Sequence, residues 1–424
     1  MLRADVNDVI YRSSLRLSRV LDDIGISKNI VDMRRETYAL MEKLNNEVSE
    51  ARGWNFKHFY VGSQREGSVI PGTASDVDIL SCNRDVSVWR DWADWENGRD
   101  NRRILQPSYL PPQHCVVQLI RDDKPLPIRN VDNTPPGVAR YCHVDDRGRI
   151  LLLNTYLDHE FARIYENVGL MLRKTGPSKG WCRELDFVPW NKCRSVPDTC
   201  MTWIDRRRPG HWPTLAMLEE AKTIDWFIIP AGHPDSPTQG LEWRFAPNLI
   251  ERMLFLSLRN VHVKCYVVLK MIKETIFKPL VGGNLTSFHL KTVLFRTVEQ
   301  TPDDLWNEEN LIKCIHSCII TLYRFLKAGV CPHFILTGLD VFAGKLRKHE
   351  QIRLANVVRT ALGDGLESLI YRLPEVGARL SRLNNTGRYL HGEFPSRYQR
   401  HKSICDKLDN QRVKCIRWKN QMTE

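Results

Sequence analysis

The sequence predicts an α+β fold: an α/β half followed by an all-helical half. Three observations lead there. The first sixty residues carry apolar positions at three- and four-residue spacing, which is a helical period. Between Phe56 and Asn248, short strand-like runs alternate with Gly- and Pro-rich segments. From Asn248 onward helical spacing dominates.

Taken in order, Val9, Leu15, Leu17, Val20 and Leu21 form one apolar stripe. Ile30, Met33, Leu40, Met41 and Leu44 form another, with Thr37 filling the gap and Gly25 separating the two. Strands are predicted at Phe56 to Val61 and Val77 to Leu80, with a Gly-rich segment between them. Short strands at Val116 to Ile120 and Ile150 to Leu153 follow, then a helix near Glu160 to Arg173. Pro107, Pro111, Pro112, Pro125, Pro127, Pro135 and Pro136 mark loops or edges in this stretch. Leu249, Ile250, Met253, Leu254 and Leu256 open the helical half. Further helices are predicted at Val263 to Phe277, Thr286 to Glu299, Asn310 to Lys327 and Gln351 to Leu362. The basic tail from Arg397 to Lys419 is expected to be partly disordered. The domain reading is bracing helices over 1–55, a mixed core over 56–248, and a helical lobe with a basic tail over 249–424.

The chain has 424 residues, of which 42% are hydrophobic and 26% charged, the shares of a globular protein rather than a disordered one. The formal net charge of +12 suggests a polyanionic partner. No signal-peptide core follows Met1, and the longest apolar runs are too short to span a bilayer, so a soluble, cytoplasmic protein with no membrane partner is expected. Twelve scattered cysteines without a Cys-x-x-Cys pair argue against a disulfide framework and against zinc, and predict reduced, mostly buried thiols.

The strongest local signal is Gly62-Ser63-Gln64-Arg65-Glu66-Gly67 followed by Ser75-Asp76-Val77-Asp78-Ile79-Leu80. Residues two apart on a strand share a face, so Asp76 and Asp78 present two carboxylates roughly 7 Å apart at the backbone. Carboxylate oxygens are the ligands hard divalent cations prefer. Two such ions about 4 Å apart activate an attacking hydroxyl and neutralise a leaving pyrophosphate. Gly62 lets the backbone approach a triphosphate closely, and Ser63 adds a hydroxyl donor. A Gly-Ser turn after one strand, with Asp-x-Asp opening the next, is the signature of a polymerase β-like nucleotidyltransferase lobe. A third acid is sought on a neighbouring strand. Asp186 is preferred and Glu184 is the alternative, both in Arg183-Glu184-Leu185-Asp186-Phe187.

Over roughly Phe56 to Phe342 the chain resembles the Mab-twenty-one family, which includes cyclic GMP–AMP synthase-like receptors. The further segments that carry the resemblance are Leu185-Asp186-Phe187-Val188-Pro189, His211-Trp212-Pro213, Leu241-Glu242-Trp243-Arg244-Phe245, Lys264 to Lys270, and Leu285 to Thr292. The resemblance implies that Asp76, Asp78 and Asp186 are catalytic and bind Mg2+, with Mn2+ as a substitute. It implies that Gly62 and Ser63 grip phosphate, that Arg244 and Glu251 lie near a second nucleotide, that Lys270 and Ser287 touch the triphosphate, and that Phe288 stacks on a base. From the residues alone, Lys270 could equally reach solvent, Arg244 could serve a structural salt bridge, and Phe288 could be core.

The implied activity is a nucleic-acid-activated nucleotidyltransferase that makes a cyclic dinucleotide second messenger from ATP, GTP or other NTPs in innate immune signalling. One departure bears on the activator. The His/Cys zinc insert of the DNA-sensing members has no counterpart at Arg259-Asn260-Val261-His262-Val263-Lys264-Cys265, so no zinc is expected and double-stranded RNA is preferred to DNA. The RNA contacts expected are Lys28, Arg34, Arg35, Arg259 and Lys264. The alternatives are a catalytically silent interaction protein of the same family and a polymerase β-like enzyme that makes linear products.

Overall fold

The computed structural model describes residues 6–111, 113–157, 173–175, 178–182, 185–386 and 394–423. It is a mixed α+β structure whose C-terminal region is helical. Two expectations fall outside the described residues: the helix near Glu160 to Arg173, nearly all of it, and Glu184.

The N-terminal helix Val6–Leu21 ends in a π-helical turn, Asp22–Ile26, and the long spine helix Lys28–Ala51 follows. Gly25 makes the break possible. Its φ is +103°, a left-handed value that residues with a Cβ rarely adopt.

The strands are β1 Phe56–Val61, β2 Val77–Asn83, β3 Val86–Trp89, β4 Asp100–Leu105, β5 His114–Leu119, β6 Cys142–Val144, β7 Ile150–Leu152, β8 Arg173–Thr175, β9 Ser178–Cys182, β10 Leu185–Cys193, β11 Trp226–Ile229 and β12 Glu242–Ala246. They form one sheet in the order β1-β2-β10-β11-β12-β5-β4-β3, with β7 beside β5 and β9 beside β10. β1 and β2 are antiparallel, and β2 and β10 are parallel. β3, β4, β11 and β12 were not legible as strands, because each is short and buried and so has no clear period.

After Ala246 the described chain is helical apart from loops and one isolated bridge. Asn260–Ile272 is buried on nearly every face, and Ser287–Gln300 and Leu311–Ala328 pack beside it. One apolar core runs through both halves, joining Val117 and Trp243 of the sheet to Leu17 and Val20 of the N-terminal helix and to Val263 and Val267 of the helical region.

The basic tail corrects the expectation of partial disorder. Arg397–Thr423 is a single helix that packs along the spine helix. Its pattern misled because its docking face is narrow: Leu408 is its one buried residue, and most of the rest is polar. Eleven of the twelve cysteines have described side chains; all eleven are free thiols, eight of them buried. Among the described residues no helix is long and apolar enough to cross a membrane.

Candidate active site at the edge of the sheet

The site is organised by strand register. Asp78 lies opposite Val61 of β1 on one side and beside Asp186 of β10 on the other. Asp76 stands just before β2 and is exposed. Side chains alternate, so Val77 and Ile79 turn into an apolar cluster behind the sheet while Asp78 faces the opposite way.

Gly62 opens the short helical turn Gly62–Glu66 with φ +74°. A Cβ there would lie 1.9 Å from the Asp78 carboxylate. Only glycine lets the turn and the acid share this space. The carboxylates also feel one another. Burial, Asp186 and Glu66 push Asp78 up to about 7, against the pull of Lys291. Burial and then Asp186 raise Asp76 as well. Among the described residues no three His, Cys, Asp or Glu side chains are gathered closely enough to hold a metal ion.

Lys270 meets the turn from the helical side. Its ammonium donates to Ser63 Oγ at 2.9 Å and to the Ser68 carbonyl at 2.8 Å. It is almost fully buried and among the described residues no carboxylate forms an ion pair with it, so burial lowers it to about 8 although Glu66 pulls the other way. Tyr266 donates to the Ser287 carbonyl, and Lys273 donates to Ser287 Oγ. The Phe288 ring is half-buried, 5.4 Å from the ring of His333.

Two residues that carry the site were missed as functional. Glu66, at the end of the Gly62 turn, forms a buried ion pair with Lys291 at 2.6 Å. Burial opposes the charge on Lys291, but Glu66, Tyr266 and Glu251 outweigh it and raise its pKa. Lys291 is one helical turn beyond Ser287, on the same face, and that spacing was the available signal. Glu251 is buried too. Burial and Glu66 push it up to about 7 while Lys291 and Arg244 oppose the rise. Arg244, on β12, is lowered by burial and partly restored by Glu251. Glu251 also lies 3.6 Å from His333, which burial holds neutral, with a pKa near 3, so that contact is not an ion pair. A chain of charge therefore runs from Asp78 through Glu66, Lys291 and Glu251 to Arg244.

The five residues expected to contact nucleic acid do not form one open face. Lys264 is a correction. It is fully buried, bound to Asp22 and Glu308 at 2.7 Å each and to Ser18 at 2.8 Å, because a buried ammonium needs that many partners. Arg35 is half-buried and donates to the Glu66 carbonyl at 3.0 Å, tying the spine to the Gly62 turn. Arg34 is half-buried beside Tyr38 and Cys405. Lys28 and Arg259 are exposed and ion-paired, to Asp32 and Asp303 respectively. A cavity of about 670 Å³ opens at the other end of β2 and β10, lined by Lys57, Arg84, Lys192 and Arg194, away from the acids.

A protein described as "Protein mab-21-like" from Drosophila melanogaster is 31% identical over 195 residues, which cover 43% of this chain and 52% of that protein. The chain thus spans about half the length of the curated relative it matches. Residues 262–360, which include Lys264, Lys270, Ser287, Phe288 and Lys291, are similar to the Mab-21 protein HhH/H2TH-like domain.

Proposed function

We propose that this chain is a metal-dependent nucleotidyltransferase that joins NTPs into a cyclic dinucleotide, a second messenger of innate immune signalling. In this reading 56–248 is a polymerase β-like lobe, braced by 1–55 and completed by 249–424. The observation that carries it is the register of Asp186 beside Asp78, with Gly62 pressed against the same carboxylate.

The carboxylates suit a divalent cation. They are hard oxygen donors, and burial together with the repulsion of Asp186 raises Asp78 and Asp76, a cost that a cation relieves. Asp76, Asp78 and Asp186 would hold Mg2+ or Mn2+, which when bound lowers the pKa of an attacking ribose hydroxyl and offsets charge on the leaving pyrophosphate. The chain supplies the rest. The Gly62-Ser63 turn brings backbone N–H groups and a hydroxyl to the phosphates. Lys270, protonated at neutral pH and bound only to neutral oxygens in the protein, supplies positive charge to the triphosphate, with Ser287 beside it. Lys291 keeps Glu66 and the turn in place. Arg244, Glu251 and the Phe288 ring are assigned to the second nucleotide.

Double-stranded RNA, in preference to DNA, is proposed as activator on the strength of the +12 charge. Lys28, Arg34, Arg35 and Arg259 remain its candidate contacts, and Lys264 does not. A second reading is a non-catalytic family member that acts by binding. It draws support from the domain match, which falls on the helical region and not on the acids. One experiment separates these readings. Full-length protein is incubated with the four NTPs and Mg2+ or Mn2+, with duplex RNA, duplex DNA or neither, and products are identified by mass spectrometry. A cyclic dinucleotide lost in Asp186→Asn supports the proposal. Linear products point to primer-type transfer, and no product under any condition points to the binding protein.

A further inference from the structure

Leu408, midway along the C-terminal helix, is 2% exposed and packs with Tyr38, Tyr60, Val77, Ile79 and Phe187. Val77 lies between Asp76 and Asp78, Ile79 follows Asp78, and Phe187 follows Asp186. The cluster that includes this leucine therefore lies on the reverse side of the two strands that carry the acids. We infer that Leu408 is a positioning residue, and that the helix Arg397–Thr423 is a strap holding β2 and β10 in the register that aligns Asp78 with Asp186. The inference rests on the reading of these acids as metal carboxylates.

The remaining strap contacts lie on either side of that plug. Toward its start, Ile404 covers the break in the N-terminal helices: a Cβ on Gly25 would lie 2.5 Å from the Ile404 side chain. The His401 ring nitrogen lies 2.7 Å from the Asp22 carbonyl. Toward its end, Arg412 donates to Thr37 Oγ1 at 2.7 Å and to the Met33 carbonyl at 3.2 Å, and Lys419 lies 3.8 Å from Glu47. The Leu408 cluster is separate from the main core that joins sheet and helices. The helix is also held by Ile404 and by ion pairs of Arg400 with Glu375 at 2.8 Å and of Arg397 with Asp23 at 3.7 Å, but it docks outside that core and can detach while the core stays folded. Its detachment loosens the cluster beneath Val77, Ile79 and Phe187 and leaves the front face of the site chemically unchanged. That places the effect on alignment of the acids and not on recognition of nucleotide.

Two native thiols report on docking. Cys405 lies beside Arg34 and Cys415 beside Tyr60, both on the strap itself and half-buried. The test uses full-length wild type, Leu408→Met, Leu408→Ala and Leu408→Asp. Thiol labelling of Cys405 and Cys415 is followed by mass spectrometry, Mn2+ binding by electron paramagnetic resonance, and turnover by product formation. Leu408→Ala is expected to speed labelling of both thiols and to weaken Mn2+ binding. It should also lower kcat by about ten- to a hundredfold, the scale of a sub-ångström to ångström misplacement, with little change in KM for NTP. Leu408→Met should restore all of these toward wild type. Faster labelling with wild-type kcat and Mn2+ affinity overturns the positioning role, as does a Leu408→Ala protein unchanged in every readout. Should Leu408→Asp fail to fold, Leu408→Ala decides alone. Wild type that binds no Mn2+, or binds it equally after Asp78→Asn, sinks the metal reading itself. Mn2+ binding that depends on Asp78 but not on Leu408 sinks only the strap.

Discussion

Lys264 and Lys270 stand at opposite ends of one buried helix and have opposite surroundings. The first is closed in by two carboxylates and a hydroxyl, all supplied by the protein. It pins the π-turn at Asp22 to the helical region through Glu308. The second is buried nearly as deeply but among the described residues meets neutral partners: a hydroxyl, a carbonyl and the face of the Tyr266 ring at 5.3 Å. A buried ammonium with full ionic partners is structural. One left with neutral oxygens beside a Gly-Ser turn still has charge to offer an anion. The difference is one of partners and not of residue type or depth.

The largest effects should come from the acids that define the Lys270 end. Asp76→Asn, Asp78→Asn and Asp186→Asn are each expected to cut product formation by about 10²- to 10³-fold or more, since charge is withdrawn where the transition state needs it. Steady-state turnover of well-folded variants checks this, and wild-type rates in Asp186→Asn would break the site.

The lysines themselves sharpen the contrast. Lys270→Met is expected to lower kcat/KM for NTP by about a hundredfold, as loss of a charged contact to phosphate does. Its melting temperature should hold or rise, because a desolvated charge has gone. Lys264→Met should do the reverse. It leaves Asp22 and Glu308 facing each other in partial burial, and about 3 kcal/mol of stability is expected to go. Denaturant unfolding of both variants, alongside kinetics, tests the pair. If Lys270→Met is the less stable protein, the two roles have been exchanged.

A smaller effect concerns pH. In the folded metal-free protein Asp78 and Glu251 are both pushed up to about 7, well above their ordinary values near 4. The folded state therefore binds more protons than the unfolded state between those limits. Stability from these groups is full below about pH 4, falls as pH rises to about 7, and changes little beyond it. Melting curves of metal-free protein should shift down between pH 5 and pH 8. Asp78→Asn should flatten that slope, and Mg2+ should do the same for wild type if it binds there. A slope unchanged by Asp78→Asn would remove this carboxylate from the account.

Much of the site was readable before any folding was considered. Gly62, Ser63, Asp76 and Asp78 lie within one short segment, so their meeting is a local matter of a turn and a strand period. Asp186 was readable as an acid entering an apolar strand. Its place beside Asp78 depends on which strand β10 chose as neighbour. Glu66 and Lys291 were in view as letters but not as a pair, because 225 residues separate them. Lys264 misled for the same reason: its partners are Glu308, 44 residues further on, and Ser18 and Asp22 near the start of the chain.

By itself the sequence determined the mixed α+β class, the helices with a clean period, the Gly-Ser turn and the Asp-x-Asp strand. Each of these follows from spacing along a few residues, where backbone sterics and side-chain alternation act directly. Only the tertiary structure decided which lysine is paired with carboxylates and which with neutral oxygens, how far Asp78 is raised, and that the basic tail folds back as a helix whose Leu408 joins the cluster behind the strands of Asp78 and Asp186. Burial and charge pairing are sums over neighbours brought from anywhere in the chain, and no local pattern holds that information.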